Sequence, residues 1–437
     1  MRLTCRHVEA SLFPSFVQEF FLRRQVMLTA LSLQMLTDIS KSRLSLHVRH
    51  LHIALAAVCY PWLIRENPSG TITSGQAHRQ IQTYTEQWIL RSTGRDLDML
   101  TEALRNLGNN NEIVISDTDS GSRSRDGPDG TRDSDESKRF VEQMDRLRAM
   151  PRAYVWDAVL TVLRAIAAAG ADIKGLELVL HHHTMPWTGS LKIPENLRDT
   201  LAPVLKNLEK LHLFGGDAMR HGDSARPFSH ILSTLGVRDF VSYTSNLGEL
   251  RYNGTPAGAS TTEAAFLQWL ALPVGDEQAL LACGTGPGNH WSDEEVEILR
   301  SSPRAVALPC LRILSLGSLA LKACLVEKLI VKFSPTVREL ELGDIFLQVR
   351  PDEELASPWK KLLVNLTNHE PPLIFHRLRF GSLGYFPMAV LRNEPTWPGR
   401  DLIDGPIEYS GLDWKGLLAD IMERMNLAQN GESQYVL

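Results

Sequence analysis

The sequence predicts an α/β fold: an irregular leucine-rich-repeat-like solenoid with short parallel strands on its concave face and helices outside. Three observations predict it. A short apolar-x-x-apolar-x-apolar pattern recurs along the chain, amphipathic helical stripes fall between its copies, and 437 residues exceed what one compact core holds.

The recurring pattern is the strand signal. It occurs as Val48-Leu51-Ile53, Ile173-Leu176-Leu178, Leu208-Leu211-Leu213, Leu247-Leu250-Tyr252, Leu311-Leu314-Leu316, Val337-Leu340-Leu342 and Phe375-Leu378-Phe380. Ile113 and Ile115 form a further copy, with Asn110 in place of the first apolar residue. Side chains alternate along a strand, so the last two apolar residues of each copy point inward and the residue between them points out. Those between-residues are His52, Glu177, His212, Arg251, Ser315, Glu341 and Arg379, with Val114 as the exception. One such unit cannot bury its own apolar side, so neighbouring units must stack to do it. The asparagine ladder of regular leucine-rich repeats is missing; Ala56, Thr118, His181, Gly216, Thr255, Leu319, Ile345 and Leu383 stand in its place.

Apolar residues at three- and four-residue spacing give the helices between the strands. The stripes are Met27-Leu31-Met35-Ile39, Leu97-Leu100-Leu104-Leu107, Val155-Val159-Val162-Ile166, Leu197-Leu201-Leu205, Leu321-Leu325-Leu329, Leu355-Trp359-Leu362-Leu366 and Trp414-Leu418-Ile421-Met425. Ser260 with Glu263, and Ser292 with Glu295, match the capping box that opens a helix. Residues 116–138 carry no large apolar side chain and read as a disordered insertion. Loops are expected at 275–291, from Met185 to Pro194, and from Asn393 to Gly411.

Composition narrows the function classes. A net charge of −5 is mild for this length and argues against nucleic acid as a partner. The opening residues lack the apolar run of a secretory signal, and the longest apolar stretch, Leu51 to Ile64, is too short for a bilayer. No membrane association is expected, and the location is cytoplasmic or nuclear. Five scattered cysteines, with no CxxC pair, read as buried reduced thiols. His181-His182-His183 is the best metal candidate, but consecutive residues of an extended segment point apart, so no metal is assigned. Gly284, Gly286 and Gly288 lack the lysine and hydroxyl of a phosphate-binding loop. No catalytic residue and no cofactor is predicted, so the chain reads as non-enzymatic. The outward residues, mixed in charge, suit a protein partner of unknown identity; a structural scaffold is the alternative, and an enzyme of unrecognised type the second alternative.

The first 53 residues resemble the F-box-like proteins abundant in filamentous fungi. The similarity is carried by Leu3, Thr4, Cys5, Arg6, Leu12, Phe13, Phe20, Phe21, Leu33, Leu36, Ile39 and Ser40, followed by the first strand copy at Val48, Leu51 and Ile53. It implies that residues 1–42 are an F-box-like remnant with a helical connector and 43–437 the repeat array. It further implies a substrate-recognition adaptor for a cullin–RING ubiquitin ligase, or a degenerate relative of one. The chain opens at what corresponds to the last F-box helix, and the usual L-P-x-E-[LI] segment is not in it. Docking to the small adaptor subunit of the ligase is therefore expected only if such a segment lies upstream.

Overall fold

The computed structural model describes residues 2–55, 74–116, 152–184, 191–216, 229–254, 261–274, 303–349, 357–387, 400–403, 406–411 and 414–429. The chain is a mixed α/β protein whose strands pair mostly in parallel. It divides into two compact units: unit 1 holds residues 1–183 and 195–208, unit 2 holds 184–194 and 209–437.

Unit 1 alternates strands and helices: α1 (Arg2–Phe20), β1 (Arg23–Met27), α2 (Ala30–Ser40), β2 (His50–Ala54), α3 (Ser74–Ser92), α4 (Arg95–Asn106), β3 (Glu112–Ser116), α5 (Arg152–Ala169), β4 (Gly175–Thr184) and α6 (Arg198–Lys206). β1, β2, β3 and β4 pair in that order, all parallel. The strand copies supply the inner face: Leu51, Ile53, Ile113, Ile115, Leu176 and Leu178 are all buried. Helix residues cover them, among them Leu100 and Leu104 of α4 and Val155, Val159, Val162 and Ile166 of α5. α4 carries Asp96 and Asp98 in its first turn and Arg105 in its last, the order its macrodipole favours.

Unit 2 continues with β5 (Lys210–Gly216), α7 (Ser229–Ser242), β6 (Glu249–Asn253), α8 (Thr261–Ala271), β7 (Ile313–Leu321), α9 (Ala323–Phe333), β8 (Glu339–Val349), α10 (Ser357–Thr367), β9 (Arg377–Phe380), β10 (Leu383–Pro387), β11 (Arg400–Ile403), β12 (Ile407–Ser410) and α11 (Trp414–Gln429). β5 to β9 form a parallel run. Two antiparallel pairs follow, β9 with β12 and β10 with β11. Leu211, Leu213, Leu250, Tyr252, Leu314, Leu316, Leu340, Leu342, Leu378 and Phe380 are buried, as the alternation predicts.

In both units a backbone ladder extends the sheet ahead of the strands. The Arg49 carbonyl accepts from Asn111 N–H, and the Asn111 carbonyl from Gly175 N–H; in unit 2 the carbonyls of Gly248, Arg312 and Arg338 play the same part for Ile313, Glu339 and Arg377. The chain thereby enters each strand in fixed register, which explains why the first apolar residue of each copy (Val48, Leu208, Leu247, Leu311, Val337, Phe375) is also buried.

Several expectations need correction. The connector expected to be helical before residue 43 contains the strand β1, which pairs in register with β2. Its sequence, RRQVM, hides this: Gln25 and Val26 are the buried residues, so no apolar alternation marks it. α2 buries the stripe other than the one expected. Leu33 and Leu36 face inward, while Leu31 is 53% exposed. Ser32, Thr37 and Ser40 accompany them, and two of these hydroxyls donate to backbone carbonyls of the helix, Thr37 to Leu33 and Ser40 to Thr37. Satisfied hydroxyls can be buried at little cost, which a pattern of apolar letters misses. Residues 400–403 and 407–410, read as loop, are the strands β11 and β12. Cys310 and Cys324 are exposed rather than buried. Residues 117–138 and 275–291, Leu355 and the serines of both capping boxes lie outside the described residues.

β7 and β8 run on past a bend. Ser318 and Asp344 take left-handed backbone (φ 52° and 53°), each after a glycine, Gly317 and Gly343, that are register partners. The glycine beside them on β9's exit, Gly381, would bring a Cβ to 2.9 Å from the Gly343 Cα, so the close backbone approach there requires glycine. Beyond the bend Leu319, Ile345 and Leu383 form a second buried tier. These are three of the positions where a regular repeat would carry its asparagine.

Candidate binding face

The outward residues of the strand copies share one row in each unit. In unit 1, Gln25, His52, Val114 and Glu177 are successive register partners across β1, β2, β3 and β4. In unit 2, His212, Arg251, Ser315, Glu341 and Arg379 are successive partners from β5 to β9, and Glu408 of β12 completes the row. Most of the row is half-buried; Arg379 and Glu408 are exposed, and Ser315 and Gln25 are buried.

Two residues earlier on each strand stands a second set that the strand pattern alone does not pick out: His50, Glu112, Lys210, Glu249, Glu339 and Arg377. Its signal in the sequence is a charged-apolar-charged alternation, His50-Leu51-His52, Glu249-Leu250-Arg251, Glu339-Leu340-Glu341 and Arg377-Leu378-Arg379. The apolar-x-apolar pattern assigns outward only the second charged residue of each.

The two sets bond to each other. Glu249 Oε1 accepts from Arg251 Nε at 2.6 Å and lies 3.0 Å from His212 Nε2. Arg251 Nη1 reaches Glu341 Oε2 at 3.4 Å, and Arg379 Nη1 donates to Glu341 Oε1 at 2.9 Å. The chain of contacts thus runs from β5 through β6 and β8 to β9. Beside it, Arg377 contacts Glu408 at 2.8 Å and Glu339 at 3.6 Å. In unit 1, His50 Nδ1 lies 2.8 Å from Glu112 Oε2. The His212 hydrogen bond, together with Arg251 and against the opposing effect of burial, holds the Glu249 carboxyl down at about 2. Glu249 is therefore ionised across the physiological range.

The first residues of the F-box-like resemblance lie on α1, and Leu33, Leu36, Ile39 and Ser40 on α2. Leu3, Thr4 and Cys5 fall in α1, but their side chains lie outside the described residues. Leu12 is 60% exposed. Phe13 is half-buried, with the Arg43 guanidinium 4.5 Å from its ring centre and His47 edge-on at 5.7 Å. Leu12, Phe13 and Phe16 line an open groove of about 350 Å³ with Ser42, Arg43 and Leu44.

Elsewhere, burial depresses the Lys332 ammonium to about 8; its Nζ donates to the Leu270 carbonyl at the end of α8, 2.7 Å away. Burial raises the Asp96 carboxyl, while the hydrogen bond from Leu97 N–H opposes that shift. Among the described residues, no three histidine, cysteine or carboxylate side chains converge as metal ligands. His181, His182 and His183 belong to β4, with side chains outside the described residues. No helix among the described residues is long and apolar enough to cross a membrane. The chain matches no protein-family profile and no curated protein sequence.

Proposed function

We propose that this chain is a protein-binding module, an irregular leucine-rich-repeat-like solenoid that presents the outward strand row to a partner. On this reading it is a substrate-recognition adaptor of the F-box type for a cullin–RING ubiquitin ligase, or a degenerate relative of one, and it is not an enzyme. The observation that carries the binding reading is the register of the row: residues assigned outward from sequence alone stand side by side on adjacent strands in both units. A continuous, mixed-charge, hydrogen-bonding surface suits protein better than nucleic acid, which demands repeated Lys and Arg. The F-box part of the reading rests on the N-terminal resemblance.

The scaffold alternative draws on one observation. Glu341 is shared by Arg251 and Arg379, so part of the row satisfies itself and ties strands together without a partner.

The test compares proteins retained by the full chain with those retained by a variant carrying His52→Ala, Glu177→Ala, His212→Ala and Arg251→Ala. Binding through the row requires at least one stoichiometric partner to be lost while the variant's melting curve stays cooperative. An identical set of retained proteins overturns the reading in favour of the scaffold. Stoichiometric recovery of the small ligase adaptor subunit would support the F-box part separately.

A further inference from the structure

We propose that the outer face of α3 is a homodimer contact, at which two copies of this chain pair antiparallel about Thr85. This contact is independent of the strand row. Ile81, Thr85, Trp88, Ile89 and Ser92 recur at helical spacing and share one side of α3. All five are exposed, Trp88 by 60%. The helix is held from its other side. Leu90 and Gln87 are buried there, Gln87 donates to the Leu28 carbonyl, and Arg91 reaches Asp157 of α5 at 3.4 Å. A surface helix ordinarily sets charged residues opposite its buried stripe. α3 sets two isoleucines and a tryptophan there instead, and an exposed apolar grouping of this kind marks a contact surface.

The polar groups on this face are already satisfied within the helix. Thr85 Oγ1 donates to the Ile81 carbonyl at 2.8 Å, and Ser92 Oγ to the Ile89 carbonyl at 3.2 Å. Both hydroxyls would keep their partners when covered, so burying them costs little. Glu86, the carboxylate beside the face, accepts from Gln82 at 2.9 Å.

The order of the residues selects a second copy as the occupant. A twofold axis at Thr85 brings Ile81 of each copy against Ile89 of the other, Trp88 against Gln82, and His78 against Ser92. Apolar side chains meet apolar ones and no two like charges are opposed, the self-complementarity that an isologous contact requires. A charge-free centre that carries a tryptophan also fits the core of an interface. The face presents few side chains beside the roughly 20–30 residues a side of a standard interface. The dimer is therefore reversible, and assembles in the micromolar range rather than below it.

Sedimentation velocity of the full chain, from low micromolar concentrations upward, tests this. The expected result is a monomer–dimer equilibrium that Trp88→Asp weakens at least tenfold, with its melting curve unchanged at concentrations where both proteins are monomeric. Should Trp88→Asp melt early, Ile81→Gln reads the same equilibrium. Thr85→Cys lies on the axis and should form a disulfide dimer on mild oxidation. Gln82→Cys, which faces Trp88 rather than its own copy, should cross-link no more than the unsubstituted chain. A monomer at every concentration, a dimer as strong in both apolar-face variants, or equal cross-linking at 82 and 85 would each overturn the proposal. A monomeric chain that loses a different protein on Trp88→Asp would assign the face to that protein and overturn it too.

Discussion

The two units bury the same pattern and expose different ones. Inside, the copies are interchangeable: Leu51 and Ile53 in unit 1 do what Leu340 and Leu342 do in unit 2, and all four are at most 3% exposed. Outside, unit 1 carries the His50–Glu112 bridge and a row interrupted by the uncharged Val114, whereas unit 2 carries a linked series of carboxylates and cations from β5 to β9. The inner face is constrained because each strand copy relies on its neighbours for burial. The outer face answers only to solvent and partners. Apolar alternation therefore sets the fold in both units, while the chemistry of the outer row differs between them.

The largest effects should be the same in both units. Leu51→Ala in unit 1, and Leu211→Ala, Leu314→Ala or Leu340→Ala in unit 2, should each cost about 2–5 kcal/mol, through lost transfer energy and an unfilled cavity. Denaturant melts measure the cost, and hydrogen exchange shows in which unit it falls. A leucine that costs under about 1 kcal/mol would break the assignment of inner and outer faces for its unit.

Acid should separate the units next. Glu249 has a folded value of about 2, below the ordinary 4.5. A carboxyl depressed in this way adds stability that is fully present above about pH 4.5, falls as the pH drops below that, and is gone below about 2. The deeply set Glu249–His212–Arg251 cluster should make unit 2 lose exchange protection through that window, and Glu249→Gln should flatten the loss. An unchanged acid profile in the variant would show that the cluster adds nothing to folding. Lys332 acts in the opposite range. Its folded value of about 8, below 10.5, penalises the folded state at neutral pH and releases that penalty as the pH rises from about 8 to 10.5. Lys332→Met should abolish this rise in unit 2 stability, followed by melts at pH 8 and pH 10.

Much of this comparison is legible in the amino-acid sequence. The inner face can be read from Leu211, Leu314, Leu340 and their equivalents, because a buried parallel strand tolerates little but branched and aromatic residues. The outward row follows from the same alternation. β1 is not legible, since a strand whose buried residues are Gln25 and Val26 has no apolar period. Nor is the second tier. Its leucines at 319 and 383 look like failures of an asparagine ladder, although each follows a Gly-Ser pair and is buried, with left-handed backbone at Ser318. The ion-pair series is equally hidden, because the links Arg251 to Glu341 and Arg379 to Glu341 join residues 90 and 38 positions apart. Alternation along one strand says nothing about charge across several.

The smallest expected effect is the most discriminating between a solvated face and a structural one. Glu341 is shared by two arginines, yet its side chain is 23% exposed and those of Arg251 and Arg379 are 36% and 44%. Partly exposed pairs are screened, and each is worth about 0–1 kcal/mol. Glu341→Ala should thus cost under about 1 kcal/mol, with the cost shrinking as salt rises. In unit 1 the matching row position is Val114, which has no charge to lose, so Val114→Thr should change stability by less than about 0.5 kcal/mol and show no salt dependence. Melts of both variants at low and high salt give the comparison. A Glu341→Ala cost above about 2 kcal/mol that persists in high salt would make the series a structural fastening of unit 2, and would shift the balance from binding face to scaffold.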